Sequence, residues 1–471
     1  MLENLCSYLY TSFAFLVGNL FSPNASGRKK NRRCTVTLEG PEVFECRITP
    51  STAVYWTATT AGDWNNAQNW TDENGNHVVP NQNSDVIFGQ LTGNNDCTMS
   101  IPNGTTINSL TINATYGSHT ITLNGRLTVD NGILMEAGNI AQPNGDQSSI
   151  TCWGSLNWTG GTINSSATVS TLTINNEIST ISEIATKTLG DNIQLNGELD
   201  LQGNNANSSG NELRLTNNAN FTVGNIGKLV LNGGADGITN ASGSNGVLTN
   251  NGVVSAVGAT GSQNLESIPI VNIGPNSQLV VGDANGTATT LEITDSNPQN
   301  GVSVLNNGGT TTIYTGATFR PLSGFTQQGG TLEIGGTSGT AKLSGATAAS
   351  SVVINGGLVK FDAAADNLLV SFNFTETAGG LQLTVDATAL DWNTITSNAG
   401  SITIANPCTV VVNTINIPAG GMPTKQWPIF FSSNLFGVNA SVTVGNAVNW
   451  VFNGFRYTLG GNGTQIFFLQ S

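Results

Sequence analysis

Charge is scarce in this chain. Of its 471 residues, 9% are Asp, Glu, Lys or Arg, against about a quarter in an average globular protein. Basic residues are rarest, 15 against 29 acidic, and Arg28, Lys29, Lys30, Arg32 and Arg33 sit together near the start. Beyond position 50 there remain 25 acidic and 9 basic residues. Such a body lacks the clustered Lys and Arg that phosphate recognition needs, which excludes nucleic acid as a partner. It is also a poor match to an anionic membrane surface. Histidine is limited to His77 and His119. Neither has a Cys or Asp at metal-ligand spacing, so no metal site and no cofactor are assigned. Phosphate loops and nucleophile elbows are absent. None of the six cysteines has zinc-finger or redox spacing. Cys97, Cys152 and Cys408 lie in strand-like runs and read as small core residues. Cys34 and Cys46 are near enough to pair in an oxidising compartment, but their spacing does not decide the matter.

Glycine, by contrast, is abundant at 57 residues, and Thr, Val, Ile and Leu recur at short intervals. That spacing argues for order, since disordered chains are poor in β-branched residues and rich in charge. The stretch Phe325–Phe361 shows the unit. Short runs at Thr331–Ile334, Ala341–Leu343, Val352–Ile354 and Leu358–Phe361 alternate with Gly, Asn, Ser and Ala. Each run fits a strand of about three to five residues and is too short for a stable helix. None can bury its apolar face alone, so each must stack on a similar neighbour. Comparable runs continue from Ile107 to Val412, among them Lys228–Leu231, Val253–Val257, Gln278–Val281, Thr310–Tyr314 and Leu369–Phe374.

The sequence therefore predicts an all-β fold, a single-chain parallel β-helix. At about 20–25 residues per coil, residues 50–425 hold roughly 15–18 coils, a rod of roughly 70–90 Å. A tandem β-sandwich is the rival. Asn-Gly and Gly-Gly steps at Asn124, Gly160, Asn196, Gly233, Asn251, Gly308, Gly329 and Gly356 suit hairpins. Against it stands an aromatic share of only 7%, low for sandwiches with long strands and recurrent rings. The expected organisation is a leader, basic linker and export-like motif over 1–51, N-terminal capping coils over 52–106, a solenoid body over 107–425 and a C-terminal β cap over 426–471.

At the start, Leu2, Leu5, Leu9, Phe13, Leu16, Leu20 and Phe21 recur with helical spacing. The apolar centre Phe13–Phe21 is too short to span a bilayer, and the positive run follows it, where a signal peptide places its charge before. This predicts a short helical leader. Then come Leu38, Glu39, Glu42, Phe44, Glu45, Arg47, Pro50 and Ser51 behind the basic run. The segment resembles the N-terminal motif of large exported surface proteins of planctomycete bacteria, with Gly40 and Pro41 interrupting the pattern. That resemblance implies export to the cell envelope or beyond.

Gly62, Trp64, Trp70, Val79, Pro80 and Asp85 resemble the opening unit of bacterial passenger-like β-helical surface proteins. With Trp56, these rings are expected to close the open end of the first coil; a sugar-stacking platform is the alternative. At the other end, Phe455, Tyr457, Thr458, Gly460, Gly461, Gly463 and Ile466 resemble the closing segment of the same autotransporter-like proteins. Gln465 stands where calcium-binding repeats carry an Asp ligand, so the segment reads as a structural turn.

Parallel β-helices also carry polysaccharide lyases and glycoside hydrolases. A hydrolase needs two carboxylates about 5–10 Å apart. The candidates are Glu198 with Asp200, Asp362 with Asp366 and Asp386 with Asp391, and each reads equally as solvated turn acids. Arg126, Arg214, Lys228, Arg320, Lys342 and Lys360 look isolated, which disfavours a lyase. Thr310–Thr312 and the pair Thr171 and Thr173 put hydroxyls on strands, but no regular T-x-T recurs, which argues against ordered-surface binding by a threonine array. No catalytic residue, metal ligand or binding residue is named. The expected function is a non-enzymatic spacer or adhesin at the cell surface or outside the cell. Its expected partners are extracellular glycans or neighbouring surface proteins. The alternative is a carbohydrate-active β-helix with a cryptic carboxylate site.

Overall fold

The structure, a computed structural model, describes residues 51–470 apart from a set of intervening segments, the longest at 203–211, 295–300, 420–425, 445–450 and 454–464. The helical leader, the basic linker, Cys34, Cys46, Cys408 and nearly all of the export-like motif lie outside the described residues. Residues Pro50–Ser471 form one compact unit, separate from Met1–Thr49.

Within that unit each coil lays down three strands in turn. Ser149–Cys152 lies on a first face, Ser155–Trp158 on a second and Thr162–Ser165 on a third. The chain then returns to the first face at Thr171–Ile174, in parallel register with Ser149–Cys152. The second and third faces stack the same way, Leu156 on Ile133 and Ile163 on Ile140. The fold is thus the expected parallel β-solenoid. Coil length varies, however, from the 19 residues between Thr120 and Asn139 to the 35 between Ile395 and Phe430.

Antiparallel pairing among the described residues is confined to three places. Thr52–Trp56 pairs with Trp70–Asp72 at the N-terminal end. Gly380–Asp386 folds back on Asp391–Trp392 in a hairpin that projects from one coil. At the C-terminal end Gln465–Gln470 runs antiparallel between Gln426–Ser432 and Val451–Asn453. The sandwich alternative is therefore excluded. Among the described residues no helix is long and apolar enough to cross a membrane.

The period of two in each short run sends alternate side chains inward. On the second face Leu199, Leu229, Val254, Leu279, Thr311, Leu332, Val359 and Leu381 succeed one another in register and are buried. Each fully buried aliphatic side chain contributes about 1.5–3 kcal/mol, and no coil gains this without its neighbours. Cys97 and Cys152 are buried free thiols within the same core.

The turn from the first to the second face explains much of the glycine. Gly197, Gly252, Gly309, Gly330 and Gly357 all fall there, stacked coil upon coil, and not in hairpins. The coils approach so closely that a Cβ on Gly330 would collide with the Gly309 carbonyl oxygen, and one on Gly357 with that of Gly330. Beneath this turn runs a buried ladder of amides, Asn250, Asn272, Asn306 and Gln327, one per coil. Asn250 Nδ2 donates to the Gln278 carbonyl at 2.8 Å, Asn306 Nδ2 to that of Gly309 at 3.0 Å, and Gln327 Nε2 to that of Gly356 at 3.1 Å. The amides thereby satisfy turn carbonyls that the solenoid buries.

Candidate functional site

The N-terminal tryptophans are a plug and not a platform. Trp56, Trp64 and Trp70 are fully buried. Trp70 meets Trp56 and Trp64 edge-on, with ring centroids 4.9 and 4.8 Å apart, and Phe88 and Tyr116 continue the stack. Trp70 Nε1 donates to the Trp64 carbonyl at 2.7 Å, so its polar edge is satisfied inside the cluster. Asp85 is the second residue of the strand Ser84–Phe88, which carries Phe88. Burial pushes its carboxyl up, but hydrogen bonds from Ser109, Ser51 and Asn108 outweigh this and hold it low. Of the two histidines, His77 Nδ1 lies 2.8 Å from the Trp70 carbonyl, and His119 Nδ1 lies 3.4 Å from Asp96 Oδ1. Among the described residues no group of three His, Cys, Asp or Glu side chains is placed to hold a metal ion.

The three carboxylate pairs fare differently. Glu198 accepts from Lys228 Nζ at 3.0 Å, and Asp200 from Gln202 Nε2 at 2.9 Å. Asp386 and Asp391 face each other across the projecting hairpin. Asp386 accepts from the Ala389 and Thr388 amides and from Asn416 Nδ2, which together lower its pKa. It is a turn cap.

Asp362 and Asp366 belong to a larger cluster. Register places Glu333 and Lys360 side by side on the second face, where they form an ion pair, and Lys360 Nζ lies 3.8 Å from Asp362 Oδ1. Asp362 also shares a hydrogen bond with Glu333. Burial, that bond and the Glu333 charge raise Asp362 to about 6, against the pull of Lys360. Burial likewise raises Asp366 to about 6. Its Oδ2 accepts the Ala363 amide at 2.9 Å, while the buried Oδ1 has no hydrogen-bond partner. The direct contact between Glu333 and Asp362 is shorter than the gap of about 5–9.5 Å in which a glycosidase places a sugar oxygen or water. This pair can hold a shared proton; it leaves no room for a substrate between its members.

Three of the six cations are not isolated, contrary to the expectation from sequence. Lys228, Arg320 and Lys360 pair with Glu198, Glu292 and Glu333, each one coil away and in register. These pairs lie on the second and third faces.

The first face is different. Its central outward column runs Thr106, Thr128, Thr151, Thr173, Gln194, Thr222, Thr249, Val271, Leu305, Thr326, Val353, Thr375 and Thr403. Nine of these thirteen positions are threonine, none is charged and all are half-buried. Adjacent coils space them by about 4.8 Å. The array was hidden because coil length changes from turn to turn. Its signal is the middle residue of short strands such as Ser149–Cys152, Phe221–Val223, Phe325–Gln327 and Phe374–Glu376.

No family model, curated protein or solved structure matches the chain.

Proposed function

We propose that this protein is an exported spacer or adhesin of the cell surface or extracellular space, without catalytic activity, whose first face contacts uncharged glycans. The observation that carries the reading is the column from Thr106 to Thr403, thirteen coils of hydroxyl, amide and aliphatic side chains without a charge. Among the described residues the Lys and Arg ion pairs lie on the other two faces. Such a face matches a neutral, hydroxyl-rich polymer, and Arg126, at the start of one strand, is the one cation on its described strands. The resemblance of residues 32–51 to exported surface proteins supports the location.

The test is a glycan array and a turnover assay on the purified protein. Expected is retention of uncharged glycans with no release of shortened chains. Depolymerisation would overturn the non-catalytic assignment.

The second reading, a carbohydrate-active solenoid, rests on one observation. Asp362 and Asp366 lie close in one turn, and both are raised to about 6, as acid–base catalysts often are. Loss of turnover in Asp362→Asn and Asp366→Asn would establish it.

A further inference from the structure

Large apolar side chains are seldom exposed on this solenoid, and their placement is uneven. Trp153, Ile178, Ile226 and Ile273 are 48%, 63%, 76% and 43% exposed. Of the eight exposed large apolar side chains among the described residues, these four fall at the corner between the first and second faces, Ile178 as the first residue of its second-face strand, in the first, second, fourth and sixth of successive coils. They line, with gaps at the third and fifth coils, the border of the face whose central column is uncharged. Other described tryptophans behave differently. Trp56, Trp64, Trp70 and Trp158 are fully buried, and Trp392 is half-buried.

Trp153 is also held in place. Its amide donates to the Val129 carbonyl at 2.9 Å. The next residue, Gly154, lies so close to the coil below that a Cβ would strike the Asn131 carbonyl. The indole is thus carried on a backbone that cannot easily withdraw it. Trp153 lies two residues beyond the column residue Thr151, just past the end of the strand Ser149–Cys152, and Thr128 and Thr173 are in register with Thr151 on either side. Asp130, within the strand Arg126–Met135 that spans this corner in one adjoining coil, and Glu177, in the corner of the other, lie nearby in the stack.

We propose that Trp153 is the stacking platform of a binding site for an uncharged polysaccharide. The apolar face of a sugar ring lies on the indole. Neighbouring residues of the polymer follow the border towards Ile178 and set their hydroxyls against Thr128, Thr151 and Thr173. An aromatic ring beside hydroxyl groups suits a sugar, which has an apolar C–H face and a polar rim. Asp130 and Glu177 can accept from sugar hydroxyls, and their two carboxylates outnumber Arg126, the exposed cation at the start of the neighbouring strand, which favours a neutral glycan over an anionic one. This inference rests on the reading of the first face as a glycan-contacting surface, and names its centre.

The experiment is co-sedimentation of the full chain with cellulose and with chitin, and affinity electrophoresis in an uncharged soluble β-glucan, with hyaluronate as the anionic control. Expected is binding to at least one neutral polymer and none to hyaluronate. Trp153→Ala should weaken binding by about tenfold or more, and Trp153→Phe by no more than about threefold. Both variants should melt with the wild type, since the ring is exposed. In the wild type, iodide should quench the exposed indole, and bound glycan should protect it. If the wild type binds a neutral polymer and Trp153→Ala binds it equally well, the platform is overturned while the glycan-contact reading survives. Quenching that bound glycan leaves unchanged overturns the platform in the same way, without a variant. If the wild type binds hyaluronate alone or no polymer, both fall.

Discussion

Asn250 donates from Nδ2 to the side-chain oxygen of Asn272 at 2.7 Å, across 22 positions of sequence and a single step of the stack. Asn272 in turn donates towards Asn306 Oδ1 and the Thr310 carbonyl, at 3.4 and 3.3 Å. The ladder therefore ties three coils at one turn. Asn272→Val should cost about 1–3 kcal/mol, because buried amides and a turn carbonyl lose partners. Hydrogen exchange should quicken at residues 307–310 and not on the third face. Uniform loss of protection throughout the solenoid would contradict a local role.

Two glycines with similar backbones should respond differently to alanine. Gly330 has φ +71° and no space for a Cβ beneath the Gly309 carbonyl; Gly75 has φ +83° and nothing within 4 Å. Gly75→Ala should cost about 1 kcal/mol, the left-handed penalty alone. Gly330→Ala should cost more than about 3 kcal/mol, since two backbones must separate. Denaturation midpoints compare them directly.

Stability should depend on pH through Asp366. Its pKa is raised in the fold, to about 6, so the folded state favours the protonated acid. That contribution is complete below the ordinary Asp range and is lost as pH rises through 6. Asp366→Asn should therefore be more stable than the wild type at pH 8, by about 1–3 kcal/mol, with the difference closing towards pH 4. Asp362 acts in the same direction, while Glu333, whose pKa is lowered, acts in the opposite one. A denaturation series on wild type and variant between pH 4 and 8 reads the slope.

Lys360→Met removes the one cation that pulls Asp362 down. The Asp362 titration, followed by its carboxyl carbon shift, should move above 6. The effect on stability should be no more than about 1 kcal/mol, because the ion pair is partly exposed. An unchanged Asp362 titration would mean that Lys360 does not act on it.

Strands were legible where a short apolar run stood between glycines. Val352–Ile354 and Leu358–Phe361 have the bounds that alternation suggests. Leu369–Phe374 reads as one strand, yet it spans a turn, with Asp366–Val370 on the third face and Phe374–Glu376 on the first. Composition cannot mark that corner, because Ser371, Phe372 and Asn373 look no different from strand residues. The threonine column and the ion pairs were illegible for another reason. Partners one coil apart are separated by 21, 27 or 34 positions, so no fixed period reveals them. Trp153 lies in an apolar run, Ile150–Trp158, where sequence gives no reason to single it out.

The strand Gln465–Gln470 reverses direction against the last third-face strand, Gln426–Ser432. A parallel stack otherwise ends in unpaired amides and carbonyls that another chain can extend. By turning back, the polypeptide covers the open edge of that third-face strand with antiparallel neighbours, against which a further parallel coil cannot stack in register. Truncation before position 465 would leave the Gln426–Ser432 edge open to pairing with a strand of another chain.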